Sequence, residues 1–356
     1  MKKIFNYYSF ILAISLLVSC SKDDNVNIIL PEGEFTNGYF VLNEGGYNDI
    51  NASVSFVSEN GEVFNSIFSS KNNRDLGDVA QHMGLYGDLA YIVVNNSNTI
   101  EVVNRYTFKH VVSIEDQILN PRYIIFEDNQ AYVTNWGDPA DTTDDYVAVI
   151  NLDTHEVVKK IAVGEGPEKL IENNGKIYVA HQGGWGYGNS ISVIDIASRN
   201  LESTIQVNDV PSDMNIYEDF LYVLSAGKLD WTGEETLAAL SKINLATQTV
   251  EEQLEFSEGI HPGFLEKQND NLYYVIDREI YQLNTGEFKL PKASLFSTEA
   301  QNVSVLYGFK IHENTIYIAD AKDYTSNGEV FTYSVNGEYI ENHSVQLIPN
   351  GFYFNN

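Results

Sequence analysis

The chain has 356 residues, of which 43% are hydrophobic and 20% are charged, so it can build a large core and is not a disordered polypeptide. Fifty acidic residues against 21 basic ones give a formal net charge of -29, which disfavours nucleic acid as a partner. The single cysteine excludes a disulfide framework and any cysteine-based zinc or iron-sulfur site. Aromatic residues make up 12% of the chain, and this enrichment favours β-strands.

The first 20 residues have the features of a secretion signal. Two lysines precede an apolar run that is too short to span a bilayer comfortably, and the segment ends in Leu17-Val18-Ser19-Cys20. This ending resembles a bacterial lipobox, in which the cysteine becomes the lipidated first residue of the mature protein. The acidic stretch that follows resembles the surface-export signal of Bacteroidota lipoproteins. The sequence therefore predicts a signal peptide over 1–19, a lipidated Cys20 with a polar tether over 20–37, and a protein displayed on the outer membrane.

One strand pattern, a tyrosine flanked by apolar residues, recurs seven times over residues 38–356. The tyrosines are 41 to 52 residues apart, which is the length of four short strands with their turns. They are Tyr39, Tyr91, Tyr132, Tyr178, Tyr222, Tyr273 and Tyr317. The repeat predicts an all-β fold, a seven-bladed β-propeller whose blades are four-stranded antiparallel sheets. A β-sandwich would not need seven copies of one tyrosine-centred strand.

Turn chemistry and the position of the chain ends support the same architecture. The third strand of each repeat ends at a small polar residue suited to bond the backbone of the next turn. These residues are Ser58, Asn104, Asn151, Asp195, Asn244, Asn284 and Ser334. The first repeat begins at its second strand, 38–41, whereas the segment 348–354 resembles a first strand. We therefore expect the carboxyl-terminal strand to complete blade 1 and close the ring.

Candidate ligand-binding residues fall on one face of this ring. In a four-stranded blade, the loops between the second and third strands share a face with the links between blades. We call it the long-loop face, because several of these loops are long, including 135–146, 181–189 and 225–235. Those three loops hold all three tryptophans, and the amides and phenols around them suit a large, neutral, polar ligand. The loop candidates are Asn43, Glu44, Tyr47, Asn48, Asn95, Asn96, Asn135, Trp136, His181, Gln182, Trp185, Tyr187, Trp231 and Tyr324.

Further candidates are expected at the entries to the inner strands, around the mouth of the central channel. They are Gln81, His82, Arg122, Asp213 and His261. Arg122 has two interpretations: it holds a phosphate or carboxylate of the ligand, or it pairs with Glu168. Each tryptophan likewise has an alternative role, that of packing its own loop.

The short catalytic motifs G-x-S-x-G and H-E-x-x-H and the P-loop are missing, so we expect a non-enzymatic protein without catalytic residues, metal or cofactor. A metal-dependent, lactonase-like hydrolase is the alternative if His82, His181 and His261 converge from different blades. The loop Asp138–Asp145 has four carboxylates and can offer oxygen ligands to Ca²⁺. It lacks the spacing of an EF-hand, and an exposed acidic loop is the simpler interpretation.

Two resemblances extend these predictions. Tyr132-Val133-Thr134-Asn135 carries the tetrapeptide of the bacterial YVTN-type seven-bladed β-propellers, which the chain resembles over residues 38–356. The segments 42–56 and 76–104, with 121–126 and 131–136, look like BtuG-type surface lipoproteins of Bacteroidota. That resemblance implies a propeller that captures cobalamin outside the cell and passes it to a TonB-dependent outer-membrane transporter. We expect the propeller to be monomeric. A glycan would accept nearly the same surface, so glycan binding or protein docking is the alternative function.

Overall fold

A computed structural model describes residues 33–355, and their strands form seven four-stranded antiparallel sheets. Each sheet is one blade of a ring, because the inner strand of every blade contacts the inner strands of the blades on both sides. The fold is therefore a seven-bladed β-propeller, as the repeat predicted. The predicted signal peptide, Cys20 and the start of the predicted tether lie outside the described residues.

The described residues contain 28 strands and three short helices. In chain order the strands are β1 (Gly38–Asn43), β2 (Ser53–Ser58), β3 (Val63–Phe64), β4 (Ala80–Tyr86), β5 (Leu89–Val94), β6 (Thr99–Asn104), β7 (His110–Ile114), β8 (Pro121–Glu127), β9 (Gln130–Asn135), β10 (Tyr146–Asn151), β11 (Glu156–Ala162), β12 (Pro167–Asn173), β13 (Lys176–His181), β14 (Ser190–Asp195), β15 (Asn200–Gln206), β16 (Pro211–Tyr217), β17 (Phe220–Ser225), β18 (Ala239–Asn244), β19 (Thr249–Glu255), β20 (Gly263–Gln268), β21 (Asn271–Ile276), β22 (Glu279–Asn284), β23 (Phe296–Ser297), β24 (Leu306–His312), β25 (Thr315–Asp320), β26 (Asn327–Ser334), β27 (Tyr339–Leu347) and β28 (Pro349–Phe354). The helices are α1 (Ile67–Asn72) and two 3-10 turns, Asp230–Thr232 and Glu299–Gln301. Within residues 33–355, no helix is both long and apolar enough to cross a bilayer.

The ring closes through blade 1, whose strand order is β28-β1-β2-β3. Strand β28 pairs antiparallel with β1, so that Tyr39 lies opposite Phe354. The backbone N–H of Asn355 donates to the carbonyl of Gly38 at 2.8 Å and extends this pairing by one residue. The predicted closure is confirmed. Blades 2 to 7 each consist of four consecutive strands, from β4–β7 to β24–β27.

The core lies between neighbouring blades. Six of the seven repeat tyrosines are buried, and Tyr317 is half-buried. Tyr91 of blade 2, for example, packs in one cluster with Ile124 and Val133 of blade 3. The repeated tyrosine is therefore an interblade core residue. In blades 2 to 7 it is the third residue of its strand and packs towards the following blade, whereas Tyr39 is the second residue of β1 and packs towards blade 7.

The polar residues that end the third strands bond the turns that follow them. Asn104 Oδ1 accepts the backbone N–H groups of Tyr106 and Thr107 at 3.1 and 3.0 Å. Equivalent bonds form at the other six predicted positions. Side-chain capping of this kind fixes the hairpins on the face opposite the long-loop face.

Candidate functional site

The loops of the long-loop face begin at fixed points next to the inner strands. In blades 1, 2 and 5 the residue before the inner strand has a left-handed backbone, with φ of 56° at Ile348, 62° at Val79 and 59° at Val210. Such angles are unfavourable for β-branched residues. Each of these carbonyls accepts the first N–H of a neighbouring loop, as Val79 does from Asn95 at 2.7 Å. The strained residues thus hold the starts of the loops that carry the candidate site.

The loops of blades 3, 4 and 5 contact one another through aromatic side chains. The half-buried Trp136 donates its indole N–H to the carbonyl of Pro167 at 3.1 Å. Its ring meets the edge of Trp185 at a centroid distance of 5.8 Å. Lys228 of the next loop lies 5.6 Å from the ring of Tyr187. Trp136 therefore anchors its loop, whereas Trp185 stands above it with 60% of its surface exposed.

A second aromatic group lies at blades 7 and 1. Tyr307 meets the edge of Tyr324 at 5.6 Å, and its side chain lies near the carboxylate of Glu44. Burial is the main cause that raises the pKa of Glu44. Tyr47, in the loop of blade 1, is 68% exposed. Five of the seven exposed tyrosines and tryptophans within residues 33–355 lie on the long-loop face. We call them the aromatic face: Tyr47, Trp185, Tyr187, Trp231 and Tyr324.

Arg122 pairs with Glu168 rather than pointing to solvent. Its guanidinium donates to both carboxylate oxygens of Glu168, at 2.9 and 2.7 Å. The guanidinium carbon also lies 4.0 Å from the ring centroid of Trp136. Both charged side chains are largely buried, at 12% and 6% exposure. Of the two interpretations left open by the sequence, the structure supports the ion pair, which acts from beneath as a support for Trp136.

Three predicted contact residues lie beneath the face instead of on it. Asn43, Asn135 and His181 end the second strands of blades 1, 3 and 4, and all three are buried. Asn43 Nδ2 bonds Ser55 Oγ at 3.0 Å, Asn135 Oδ1 accepts the N–H of Leu119 at 3.1 Å, and His181 Nε2 lies 2.8 Å from Ser192 Oγ. Burial lowers the pKa of His181 to about 4. These side chains hold strands and links together.

The half-buried amides Asn95 and Gln182 stand at the starts of their loops. Asn95 Nδ2 donates to the carbonyl of Pro121 at 3.1 Å, and the backbone of Gln182 bonds Gly166 at 3.1 Å. Asn96 bonds Asn48 and Asp78 between the loops of blades 1 and 2. Gln81 lines the channel together with Tyr123.

The channel residues His82 and Asp213 are held by their neighbours. His82 packs against the rings of Tyr123 and Tyr353 at centroid distances of 4.7 and 5.5 Å, and burial lowers its pKa to about 3. Asp213 accepts Lys169 Nζ at 2.5 Å and the N–H of Leu265 at 2.9 Å. The sequence singled out neither Tyr123 nor Lys169. The signal was nevertheless present, because each lies two residues after the proline that begins its inner strand, as Asp213 does.

The three histidines considered for a metal lie in different surroundings. His261 Nδ1 is 2.7 Å from the carbonyl of Ala226, and its Nε2 is 3.4 Å from Glu235. His181 bonds Ser192 within blade 4, whereas His82 lines the channel. No group of three or more metal-ligating side chains was found among residues 33–355.

The acidic loop 138–145 uses three of its carboxylates, those of Asp138, Asp141 and Asp144, to bond its own backbone. Asp144 accepts the N–H of Asp138 at 3.1 and 3.0 Å, and Asp141 accepts that of Thr143 at 2.9 Å. Asp145 is buried at the base of the loop and accepts the N–H of Gly166 at 2.5 Å. Desolvation is the main cause that raises the pKa of Asp145 to about 6.

These features define a β-propeller whose long-loop face carries exposed aromatic side chains around a polar channel. The chain belongs to the family described as a domain of unknown function (DUF5074), whose model matches residues 37–354. No match was found among curated proteins.

Solved structures resemble the chain in fold. A quinonprotein alcohol dehydrogenase-like protein from Bacteroides thetaiotaomicron VPI-5482 has a TM-score of 0.68 and 15% identity, with 90% of this chain and 79% of that chain covered. A functionally unknown protein from Desulfotomaculum acetoxidans DSM 771 has a TM-score of 0.66 and 12% identity, with coverage of 90% and 99%. Dihydro-heme d1 dehydrogenase NirN in complex with DHE has a TM-score of 0.55 and 13% identity, with coverage of 91% and 76%. At these identities the likeness concerns the fold alone.

Proposed function

We propose that this protein is a non-enzymatic binding protein that captures a corrinoid such as cobalamin on the long-loop face of the propeller. The observation that carries the proposal is the aromatic face. Trp185 and Trp231 are 60% and 75% exposed, and Tyr47 and Tyr324 lie on other blades of the same face. Large exposed apolar surfaces are costly in water, and a group of them rimmed by polar side chains is typical of a binding surface.

The chemistry of this face suits a broad ligand with amide groups at its edge. Aromatic rings can cover the flat faces of a macrocycle, and the side chains of Gln182 and Asn95 stand beside the loops that carry those rings. Arg122 is neutralised by Glu168, so the surface beneath Trp136 carries no excess charge. Lys228 is the better candidate to contact a ligand phosphate, because its nearest carboxylate, on Asp209, is 3.6 Å away.

The likeness of segments 42–56 and 76–104 to BtuG-type surface lipoproteins supports the same ligand class. With it comes a proposed cellular role, in which lipidated Cys20 anchors the propeller at the outer-membrane surface and the ligand passes to a TonB-dependent transporter. In this proposal residues 33–355 bind the ligand, and Cys20 anchors the protein in the membrane.

The first test is a calorimetric titration of the purified protein with cyanocobalamin, with co-elution of the red chromophore on gel filtration. We expect stoichiometric binding that weakens tenfold or more in Trp185→Ala and Tyr187→Ala. Tyr339→Ala is the matched control, because this tyrosine is 44% exposed at a hairpin on the opposite face. Absence of cobalamin binding at micromolar protein rejects the corrinoid proposal.

A surface glycan is the second candidate, and the exposure of Trp185 and Trp231 favours it. Exposed indole rings offer flat apolar faces, and sugar rings have apolar faces that can stack on them. A glycan-binding propeller should be retarded on polysaccharide affinity gels, and Trp185→Ala should abolish the retardation. Equal migration of the wild type with and without polysaccharide rejects this candidate.

A further inference from the structure

The central channel is lined by Gln81, Asn215 and Asn350 and by one titratable side chain from the inner strand of each blade. In blade order the titratable residues are Tyr353, His82, Tyr123, Lys169, Asp213, Glu266 and Lys310. They border two cavities of about 290 and 220 Å³, and five of the residues line both. The channel is therefore a polar cavity separate from the aromatic face, and binding at the aromatic face gives its charged side chains no role.

Two ammonium groups lie across this compartment from one another. Lys169 belongs to blade 4 and Lys310 to blade 7, and in a ring of seven blades these are nearly opposite. Lys169 Nζ donates to Asp213 at 2.5 Å, and Lys310 Nζ donates to Glu266 at 2.9 Å. An ammonium has three N–H donors, so each lysine keeps donors for a molecule in the cavity.

The acceptor sites of Asp213 are largely occupied by groups of the protein itself. Asp213 already accepts the backbone N–H of Met214 at 2.8 Å and that of Leu265 at 2.9 Å, besides the ammonium of Lys169. His82 Nδ1 accepts the N–H of Ile124 at 3.4 Å, which assigns the imidazole hydrogen to Nε2 as a further donor. Lys169, Lys310 and His82 therefore present donors that a ligand with acceptor oxygens can bond.

We propose that the channel binds a small dicarboxylate, with one carboxylate bonded to Lys169 and the other to Lys310. The cavities are small enough to select short acids, because drug-sized ligands occupy roughly 300 to 1,000 Å³. Two charge-assisted contacts from opposite walls would distinguish a dicarboxylate from a monocarboxylate.

The test measures the thermal unfolding of the purified protein with malonate, succinate or acetate, and calorimetry gives the affinities. Sodium chloride keeps the ionic strength equal, since the net charge of -29 makes salt itself stabilising. We expect malonate or succinate to raise the melting temperature, because a ligand that binds only the native state stabilises it. Acetate at the same carboxylate concentration should have a much smaller effect.

Variants at the two lysines identify the site. Lys169→Met and Lys310→Met should each weaken dicarboxylate binding by about tenfold or more, which is the loss expected for one charge-assisted hydrogen bond. Lys176→Met is the control, because Lys176 is 30% exposed and pairs with Glu202 outside the channel. If a methionine variant does not fold, glutamine at the same position replaces it, and the same loss is expected.

Three results would each overturn the proposal: no stabilisation beyond sodium chloride, equal effects of acetate and the dicarboxylates, or unchanged affinity in both lysine variants. The aromatic variant Trp185→Ala should bind malonate normally. Failure of the channel site is thereby distinguishable from failure of corrinoid capture.

Discussion

Replacing the side chain of Phe352 in the closing strand β28 by that of alanine should destabilise the whole ring. Phe352 is 5% exposed and packs against Tyr39 and Tyr317, with ring centroids 6.2 and 5.6 Å away. Replacing a buried phenylalanine by alanine costs roughly 3 to 5 kcal/mol, from lost burial and from the cavity that remains. A folded domain is stable by only about 5 to 15 kcal/mol. We therefore expect Phe352→Ala to remove a large part of the free energy of unfolding.

Denaturant unfolding followed by tryptophan fluorescence is the appropriate assay, because all three tryptophans lie in the loops of blades 3 to 5. If closure stabilises the ring as one unit, a change in blade 1 must shift the transition that those distant blades report. Deleting residues 349–356 removes the inner strand of blade 1 and should abolish the cooperative transition. Tyr47→Ala is the control, since a residue 68% exposed should change stability by less than about 0.5 kcal/mol.

Two outcomes would refute this reasoning. A loss below about 1 kcal/mol in Phe352→Ala would mean that the closing strand adds little to the ring. A separate early transition that leaves the tryptophan signal in place would mean that blade 1 opens alone and that the ring is not one cooperative unit.

Three further predictions concern single side chains. Arg122→Met leaves the carboxylate of Glu168 buried without its partner and should cost roughly 3 to 5 kcal/mol by denaturation, whereas the double variant with Glu168→Met should recover most of that loss. His181 has a pKa of about 4 in the folded protein and 6.5 as its ordinary value, so its contribution to stability is complete above about pH 6.5 and is lost as the pH falls towards 4. His181→Gln should flatten the dependence of unfolding free energy on pH in that window, and an unchanged slope would contradict the assignment. Asn104→Ala removes three hydrogen bonds from the next turn to the Asn104 side chain and should lower the free energy of unfolding by about 1 kcal/mol. A neutral result would show that the turn forms without them.

Repeated features made the fold predictable. Two features recur in every repeat: the tyrosine-centred strand and the polar residue that ends the third strand. The terminal segment 348–354 resembles the first strand that the first repeat lacks. Because each blade must bury its faces against its neighbours, seven copies leave few alternatives to a ring. The pairing of β28 with β1 followed because blade 1 otherwise lacked one strand.

The site was predictable only in part. Residue type alone does not show whether a polar side chain at the start of a loop is exposed on the face or buried beneath it. Asn135 and His181 are polar and stand next to tryptophan-bearing loops, which made them candidates for ligand contact. Both lie at the last position of a second strand, where the next link covers them, and each bonds a neighbouring strand or link. A buried polar side chain must find a partner, and the nearest available partners are in the protein itself.

The ion pair of Arg122 and Glu168 shows how a structural role can support binding at a distance. The pair lies under Trp136, and Trp136 in turn meets the edge of Trp185. Because Arg122 donates to both oxygens of Glu168, its plane is fixed, and a fixed cation beneath one indole constrains the ring that the next indole contacts. Mobile aromatic side chains lose conformational entropy when a ligand binds, whereas side chains that are already held in place lose less. We therefore expect Arg122 to preorganise the proposed site and to affect ligand affinity through Trp136 and Trp185.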